Sequence, residues 1–312
     1  ACQVECPTGA LDVGEHVRIR ENCSACGSCL DLRGEACLAA RSLASGAGGA
    51  SVNDIAQSGS LKEYRRFGMR KAWLAEFLRC PEDWASHNRL GPDQSEAMMM
   101  WLRDAELATG NRKSFTVTEL GRRLLRRGSE DLVTWAVIWT NLARNSTIVK
   151  WYATAVRWGA VMTKAELVAR IGETYPRSEK SRRNSMTALL GLLTQTPLGS
   201  QLGLGEPTLP DRRTRGTVYK KGWQTPDPTA VLYALYRYAE KTGRYELTVH
   251  ELYEDADEGP YALFGISQDT LKAILRGLSL RNEGLVRVSI VRDLDNVFLD
   301  STRKSVEVLL LV

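Results

Sequence analysis

Six of the seven cysteines lie at positions 2, 6, 23, 26, 29 and 37. Thiols gathered this densely, in a chain that shows no export signal, point to metal ligation rather than to a disulfide framework. Cys23, Cys26 and Cys29 recur at every third position, so one tight turn brings three sulfurs together. Gly27 leaves backbone N–H groups near them to hydrogen-bond cluster sulfurs. Cys2, three further residues and then Cys6-Pro7 match the tail of a C-x2-C-x2-C-x3-C-P run, whose last cysteine ligates the cluster held by the opposite run. By that rule Cys6, Cys23, Cys26 and Cys29 complete one [4Fe–4S] cluster, while Cys2 and Cys37 belong to a second, incomplete one. Cys37 departs from the pattern, separated from Cys29 by seven residues with no proline after it. A structural zinc held by four thiolates uses the same ligand type and is the competing reading. The Cys2–Cys6 spacing calls for two cysteines before position 1, which makes the chain read as the carboxyl-terminal piece of a longer protein, able to hold one cluster where the uncut parent holds two.

Cations form the second set of chemically able residues. They cluster in RRFGMRK (65–71), GRRLLRRG (121–128), RSEKSRRN (177–184) and RRTRGTVYKKGW (212–223). On a helix, Leu120, Leu124 and Leu125 would turn inward and leave Arg122, Arg123, Arg126 and Arg127 in water, where they could meet phosphates. Arg212, Arg213, Arg215, Lys220 and Lys221 form the densest group, and Lys272 and Arg276 stand on a helix suited to a nucleic-acid groove, followed by Arg287 and Arg292 on a hairpin. The bland reading is that each cluster is a solvated face paired with nearby carboxylates. The histidines, His16, His87 and His250, are too scattered for a metal or base constellation. No nucleophile-and-base motif is visible. SGAGGAS at 45–51 lacks the Lys and the Asp-Ser of a phosphate loop and reads as linker. Cys80, ahead of Pro81 at a helix end, reads as a buried inert thiol, and Trp135 and Trp139, four apart, read as core.

These residues need scaffolding. Residues 1–41 form a cysteine-rich, truncated ferredoxin-like α+β module, and 42–60 a flexible linker rich in Gly, Ala and Ser. Apolar spacing predicts helices over 61–80 and near 93–108, 118–127, 130–144, 147–158, 163–172 and 184–194, giving a helical domain over 61–205. Gly203–Trp223 breaks periodicity and reads as a long connection or surface arm. A winged-helix-like domain over 206–312 begins with a helix at 228–243, with Leu232, Leu235, Tyr236 and Ala239 on one face and Gly243 as its stop. A helix over 267–284 presents Leu271, Ile274, Leu275 and Leu278. Alternation then predicts strands at 285–291 and near 297–300 and a final strand SVEVLLLV. Helices followed by a hairpin are the order of a winged helix, so the fold class is mainly α with small β.

Across 312 residues, 43% apolar and 25% charged, the composition is that of globular protein with more than one domain. The net charge of +5 does not by itself argue for a polyanionic partner. The longest apolar stretch, LVTWAVIWTNLA, falls short of the ~20 residues that a membrane span needs. No secretory signal is visible, so a cytoplasmic location without membrane contact is expected.

The cysteine run resembles the ferredoxin-like module attached to phosphoadenosine phosphosulfate (PAPS) reductase-like proteins, relatives of the DNA sulfur-modification enzymes of bacterial defence clusters. RRFGMRKAWLAEFL, LGPDQSEAMMMWLRDAEL and TVTELGRRLL are similar to an uncharacterised domain family that accompanies such proteins. The resemblance implies an iron–sulfur accessory region that engages nucleic acid or protein partners of a sulfur-modification or phage-defence complex. It also implies an upstream ATP-pyrophosphatase-like domain, whose SGG-x-DS loop this chain lacks. Two other classes compete: an iron–sulfur DNA-binding transcriptional regulator, and a plain electron-transfer ferredoxin fused to a docking domain.

Overall fold

The computed structural model describes the backbone of Leu11–Val13 and Val17–Ile19, and residues 61–312 apart from 62–63, 209–216, 255–257, 282–283, 292–293 and 312. The chain divides into two compact units, Ala1–Ser60 and Leu61–Val312. In the first, β1 (Leu11–Val13) pairs antiparallel with β2 (Val17–Ile19), Asp12 opposite Arg18. The cluster cysteines all lie outside the described residues.

The second unit is mainly helical with small sheets, as the apolar spacing implies. It begins with a single turn, Tyr64–Arg66, whose three residues all have left-handed φ, 43°, 47° and 60°. Each such non-glycine residue costs on the order of 1–3 kcal/mol unless its surroundings over-determine it. They do so here. The buried Tyr64 ring stacks on Trp101 at 3.6 Å between centroids and 6° between planes. Its hydroxyl donates to the Asp104 carboxylate at 2.5 Å and meets Ser146 Oγ at 2.6 Å. Burial, with Asp104 beside it, pushes that phenol far above its ordinary pKa. Gly68 follows, so close to the helix Glu179–Thr194 that a Cβ would fall 2.1 Å from Leu192 N.

Helices α1 (Lys71–Arg79), α2 (Trp84–His87) and α3 (Pro92–Asp104) lead to a short hairpin, β3 (Ala108–Thr109) with β4 (Thr116–Val117). Then come α4 (Glu119–Arg127), capped by Thr118, and α5 (Leu132–Asn145), capped by Asp131. Every residue of α5 from Val133 to Ala143 is buried, including Trp135 and Trp139. A helix apolar on all sides must be central, and α5 packs on α3, α4 and four later helices. Those in the same half are α6 (Thr147–Ala155) and α9 (Pro197–Ser200), with α7 (Lys164–Thr174) and α8 (Glu179–Thr194) forming a hairpin outside them.

The stretch expected as a connection or surface arm is ordered where it is described. β6 (Glu206–Pro207) and β7 (Thr217–Tyr219) pair antiparallel, and β7 also pairs with β5 (Val161–Thr163), giving the order β5-β7-β6. Trp223 is buried under Phe264. Among the described residues the breaks in periodicity coincide with these short strands.

Helix α10 (Pro228–Thr242) starts with Asp227 accepting from Thr229 N and stops at Gly243 in the left-handed region. After it come β8 (Glu246–Thr248), α11 (Val249–Glu254), α12 (Pro260–Phe264), α13 (Gln268–Arg281) and the hairpin β9 (Val286–Val291) with β10 (Leu294–Leu299). The sheet order is β8-β10-β9. On α13, Leu271, Leu275 and Leu278 are buried and Ile274 half-buried, as the spacing predicts. The expected last strand is a helix instead, α14 (Ser305–Leu311). Its alternating valines suggest a strand, but the buried positions are Ser305, Val308 and Leu309, a helical set, while Leu310 is 54% exposed. The Glu240 carboxylate accepts from Ser305 N at 2.7 Å and from its hydroxyl at 3.0 Å, holding α14 on α10. Cys80, expected buried, is exposed at the end of α1: the break at Pro81 turns it out of the apolar face.

The Tyr64 clamp sets the cost of disturbing the entry to this unit. Tyr64→Phe leaves the buried Asp104 carboxylate short of a donor and is expected to lower stability to urea by about 1–3 kcal/mol. Gly68→Ala is expected to cost a comparable amount or more, because the clash is with backbone.

Candidate nucleic-acid interface

The α7–α8 hairpin gathers three cations around one cleft of about 610 Å³. Thr163 and Glu166 cap α7 reciprocally: Glu166 N donates to Thr163 Oγ1 at 3.2 Å, and Thr163 N donates to Glu166 Oε2 at 2.7 Å. Those hydrogen bonds hold the Glu166 carboxyl below its usual range. Lys164 follows at the first turn, where the helix dipole disfavours a cation. Its Nζ donates to Thr187 Oγ1 on α8 at 2.6 Å. Burial lowers its pKa, and the Arg183 guanidinium lowers it further. Arg182 lies across Gly172, and its Nε is buried with no hydrogen-bond partner. Arg183 pairs with Glu179, one helical turn before it. The floor is apolar, made by Ala165, Val168 and Ala169. Three cations against one carboxylate over an apolar floor make a site for an anion. RSEKSRRN marks half of this cleft in the sequence. Lys164 carries no signal in the sequence beyond the capping pattern, because only the hairpin brings it to Arg183.

The arginines of α4 are mostly committed within the protein. Arg123 pairs with Glu119 at 2.5 Å and Arg122 with Glu82 at 3.1 Å. Arg127 is half-buried, donating to Asp131 at 3.0 Å and to the Leu309 carbonyl at 3.2 Å. Leu120 and Leu124 are buried as expected, and Arg126 is exposed. On α13 Lys272 pairs with Asp295 of β10, whereas Arg276 is exposed. Arg287, on β9, lies over Phe298 at 5.0 Å. Arg212, Arg213 and Arg215 lie outside the described residues, as does Arg292. Among the described residues of these groups, Arg122, Arg123, Arg127 and Lys272 are each paired with a carboxylate, and Arg126 and Arg276 are exposed.

Lys220 belongs to the core, contrary to the expectation that it meets phosphates. It is 1% exposed. Its Nζ donates to the carbonyls of Tyr152 at 3.1 Å, Ala153 at 2.7 Å and Val156 at 2.7 Å, closing the C-terminal end of α6. The ammonium also lies 4.0 Å from the centroid of the Trp158 ring. Burial pushes its pKa down to about 7, against the pull of three carbonyls and the negative end of the helix. Lys221, next to it, is exposed. In RRTRGTVYKKGW the density of charge hides this difference, which follows from Lys220 Nζ reaching the carbonyls at the end of α6.

No protein-family model matches the chain, and no curated protein sequence matches it. Its fold is similar to that of SspB. A magnesium-ion-bound crystal structure of SspB superimposes with a TM-score of 0.63 at 17% identity, covering 80% of this chain and 86% of that one. A second SspB crystal structure gives 0.61 at 16% identity with the same coverage. Among the described residues no three or more His, Cys, Asp or Glu side chains are grouped so as to hold a metal ion. Nor is any helix among them long and apolar enough to cross a membrane.

Lys220→Met is expected to lower stability by about 1–3 kcal/mol or more, since three carbonyls lose their donor. The unfolded lysine keeps its proton to a pH of about 10.4, whereas the folded one releases it from about 7. The unfolded state therefore binds more protons between those values, and wild-type stability relative to Lys220→Met should rise from pH 7 to 10 in urea titrations.

Proposed function

We propose that this chain is an iron–sulfur accessory region that engages nucleic acid or partner subunits in DNA sulfur modification or phage defence. The observation that carries the reading is the likeness of its fold to SspB, a DNA phosphorothioation-associated protein. The PAPS reductase-like resemblance of the cysteine run points to the same chemistry from a different part of the chain. Cys6, Cys23, Cys26 and Cys29 form a four-thiolate donor set with the spacing of a [4Fe–4S] site, and Cys2 and Cys37 are left for a second cluster. Such a cluster would supply electron transfer or hold the module in shape.

The order α10, β8, α11, α12, α13, β9, β10, with β8 beside β10, supports the winged-helix reading, with α12 as an additional helix. In that reading Arg276 on α13 faces the nucleic acid while Lys272 is restrained by Asp295. The anion site of Lys164, Arg182 and Arg183 supports sequence-independent contact with the phosphate backbone. This cleft gathers three cations around one carboxylate, whereas Arg122, Arg123 and Arg127 of α4 are each paired with a separate carboxylate.

The decisive measurement is binding of a labelled DNA duplex by fluorescence anisotropy over a range of salt. We expect micromolar or weaker affinity that falls steeply with salt. In Lys164→Ala, Arg182→Ala and Arg183→Ala, the slope of log K against log salt should become shallower by about 0.9 for each phosphate that is no longer neutralised. Affinity and slope unchanged in the triple variant would remove the phosphate role from this cleft. For the cluster, anaerobic reconstitution with iron and sulfide is expected to give a visible absorption band that Cys23→Ala abolishes. A protein that takes up zinc alone would reject the iron–sulfur reading.

A further inference from the structure

The C-terminal end of α6 meets α11 and α12 at a cleft of about 350 Å³ that lies apart from the cation cleft. Arg157 and Trp158 line one side, and Tyr253, Tyr261 and Ala262 the other. The tyrosine rings lie 4.4 Å apart between centroids with 34° between their planes. Of the eight tryptophans, Trp73, Trp84, Trp101, Trp135, Trp139, Trp151 and Trp223 are buried. Trp158 alone is only partly buried, and it faces this cleft.

Its indole is also fixed from behind. Lys220 Nζ, itself held by three carbonyls, lies 4.0 Å from the ring centroid. Gly265, with a φ of 68°, lets the backbone lie against the same ring, where a Cβ would fall 2.8 Å from Trp158 Cδ2. An aromatic side chain held so firmly has given up its rotamer freedom before any ligand arrives, which is the condition for cheap stacking.

The charges decide what stacks. Arg157, exposed at the rim, is the single charged side chain among the described lining residues, and Lys220, whose pKa burial pushes down to about 7, adds only a partial positive charge behind Trp158 near neutral pH. An aromatic cage for a cation needs the opposite field. A flat ring carrying an anionic group satisfies both the aromatic walls and the rim, and the cleft volume is at the small end of the range of about 300–1,000 Å³ for small-molecule sites.

We infer that this cleft holds one unpaired nucleotide, its base against Trp158, Tyr253 and Tyr261 and its phosphate at Arg157. The inference rests on the nucleic-acid reading above only for the source of that nucleotide, a strand or a free mononucleotide. A duplex cannot supply it, because its bases are stacked on one another.

The test uses the whole chain. The fluorescence of Trp158 is isolated as the difference between wild type and Trp158→Phe, and titrated with a nucleoside monophosphate, a twelve-nucleotide single strand and the same sequence as a duplex. Quenching by the single strand or by the mononucleotide is the expected result, and comparing the two arms identifies the source. Tyr261→Ala and Arg157→Ala should each weaken that binding by about ten-fold or more, whereas Tyr261→Phe, which keeps the ring, should not. No quenching by either ligand, quenching by the duplex at the same concentration as by the single strand, or unchanged affinity in Arg157→Ala would each overturn the inference. The salt-dependent duplex binding of the α7–α8 cleft is read separately. If Lys164→Ala, Arg182→Ala and Arg183→Ala abolish it while Trp158 quenching persists, the two sites are independent. A wild-type protein that binds no duplex would remove the reading of that cleft without touching this one.

Discussion

Helix α5 is the constraint on which the second unit is built. Eleven consecutive buried residues leave it no face for water, so it has to be enclosed by neighbours drawn from both halves of 61–312. The enclosure must also satisfy the polar atoms that α5 carries inward. Asn141 donates to the Ala105 carbonyl at 3.0 Å and accepts from the Tyr233 hydroxyl at 3.1 Å. Trp139 Nε1 donates to the Leu263 carbonyl at 2.8 Å, and Trp135 Nε1 to the Ser129 carbonyl at 2.9 Å. These bonds specify which neighbour lies where, a task that apolar contact alone performs poorly.

A polar chain crosses the same boundary at the surface of the core. Arg237 on α10 pairs with Glu106, which stands in a left-handed conformation at the end of the α3 region, and with Glu240, which in turn holds Ser305. Much of the positive charge of the protein is committed in this way. Arg127, Lys220 and Lys272 read as cationic surface in the sequence, yet each is tied to carboxylates or carbonyls of other elements. Lys164 and Arg183 differ in that their helices crowd like charges together around one cleft.

The helices of the second unit are legible in the sequence because apolar spacing and caps agree. Asp227 before Pro228, Gly243 after Thr242 and Thr163 with Glu166 mark ends that periodicity leaves blurred. Residues 305–311 are not legible, because Val306, Val308 and Leu310 alternate like a strand while the surface of α10 selects Val308 and Leu309. Lys220 is hidden for a similar reason: its fate depends on carbonyls at the end of α6, far away in sequence. The aromatic cleft of Trp158, Tyr253 and Tyr261 joins residues from both halves of the unit, and no local pattern announces it. By contrast, the thiolate spacing is a purely local signal and needs no tertiary contact to be read.

The way α14 closes the unit bears on how the protein is made. Helix α14 lies on α10, receives Arg127 of α4 through the Leu309 carbonyl, and is seated by Glu240. The covering of α10 therefore waits until residues 305–311 have cleared the ribosomal tunnel, and until then an incompletely covered apolar surface is open to the chaperones that bind such surfaces.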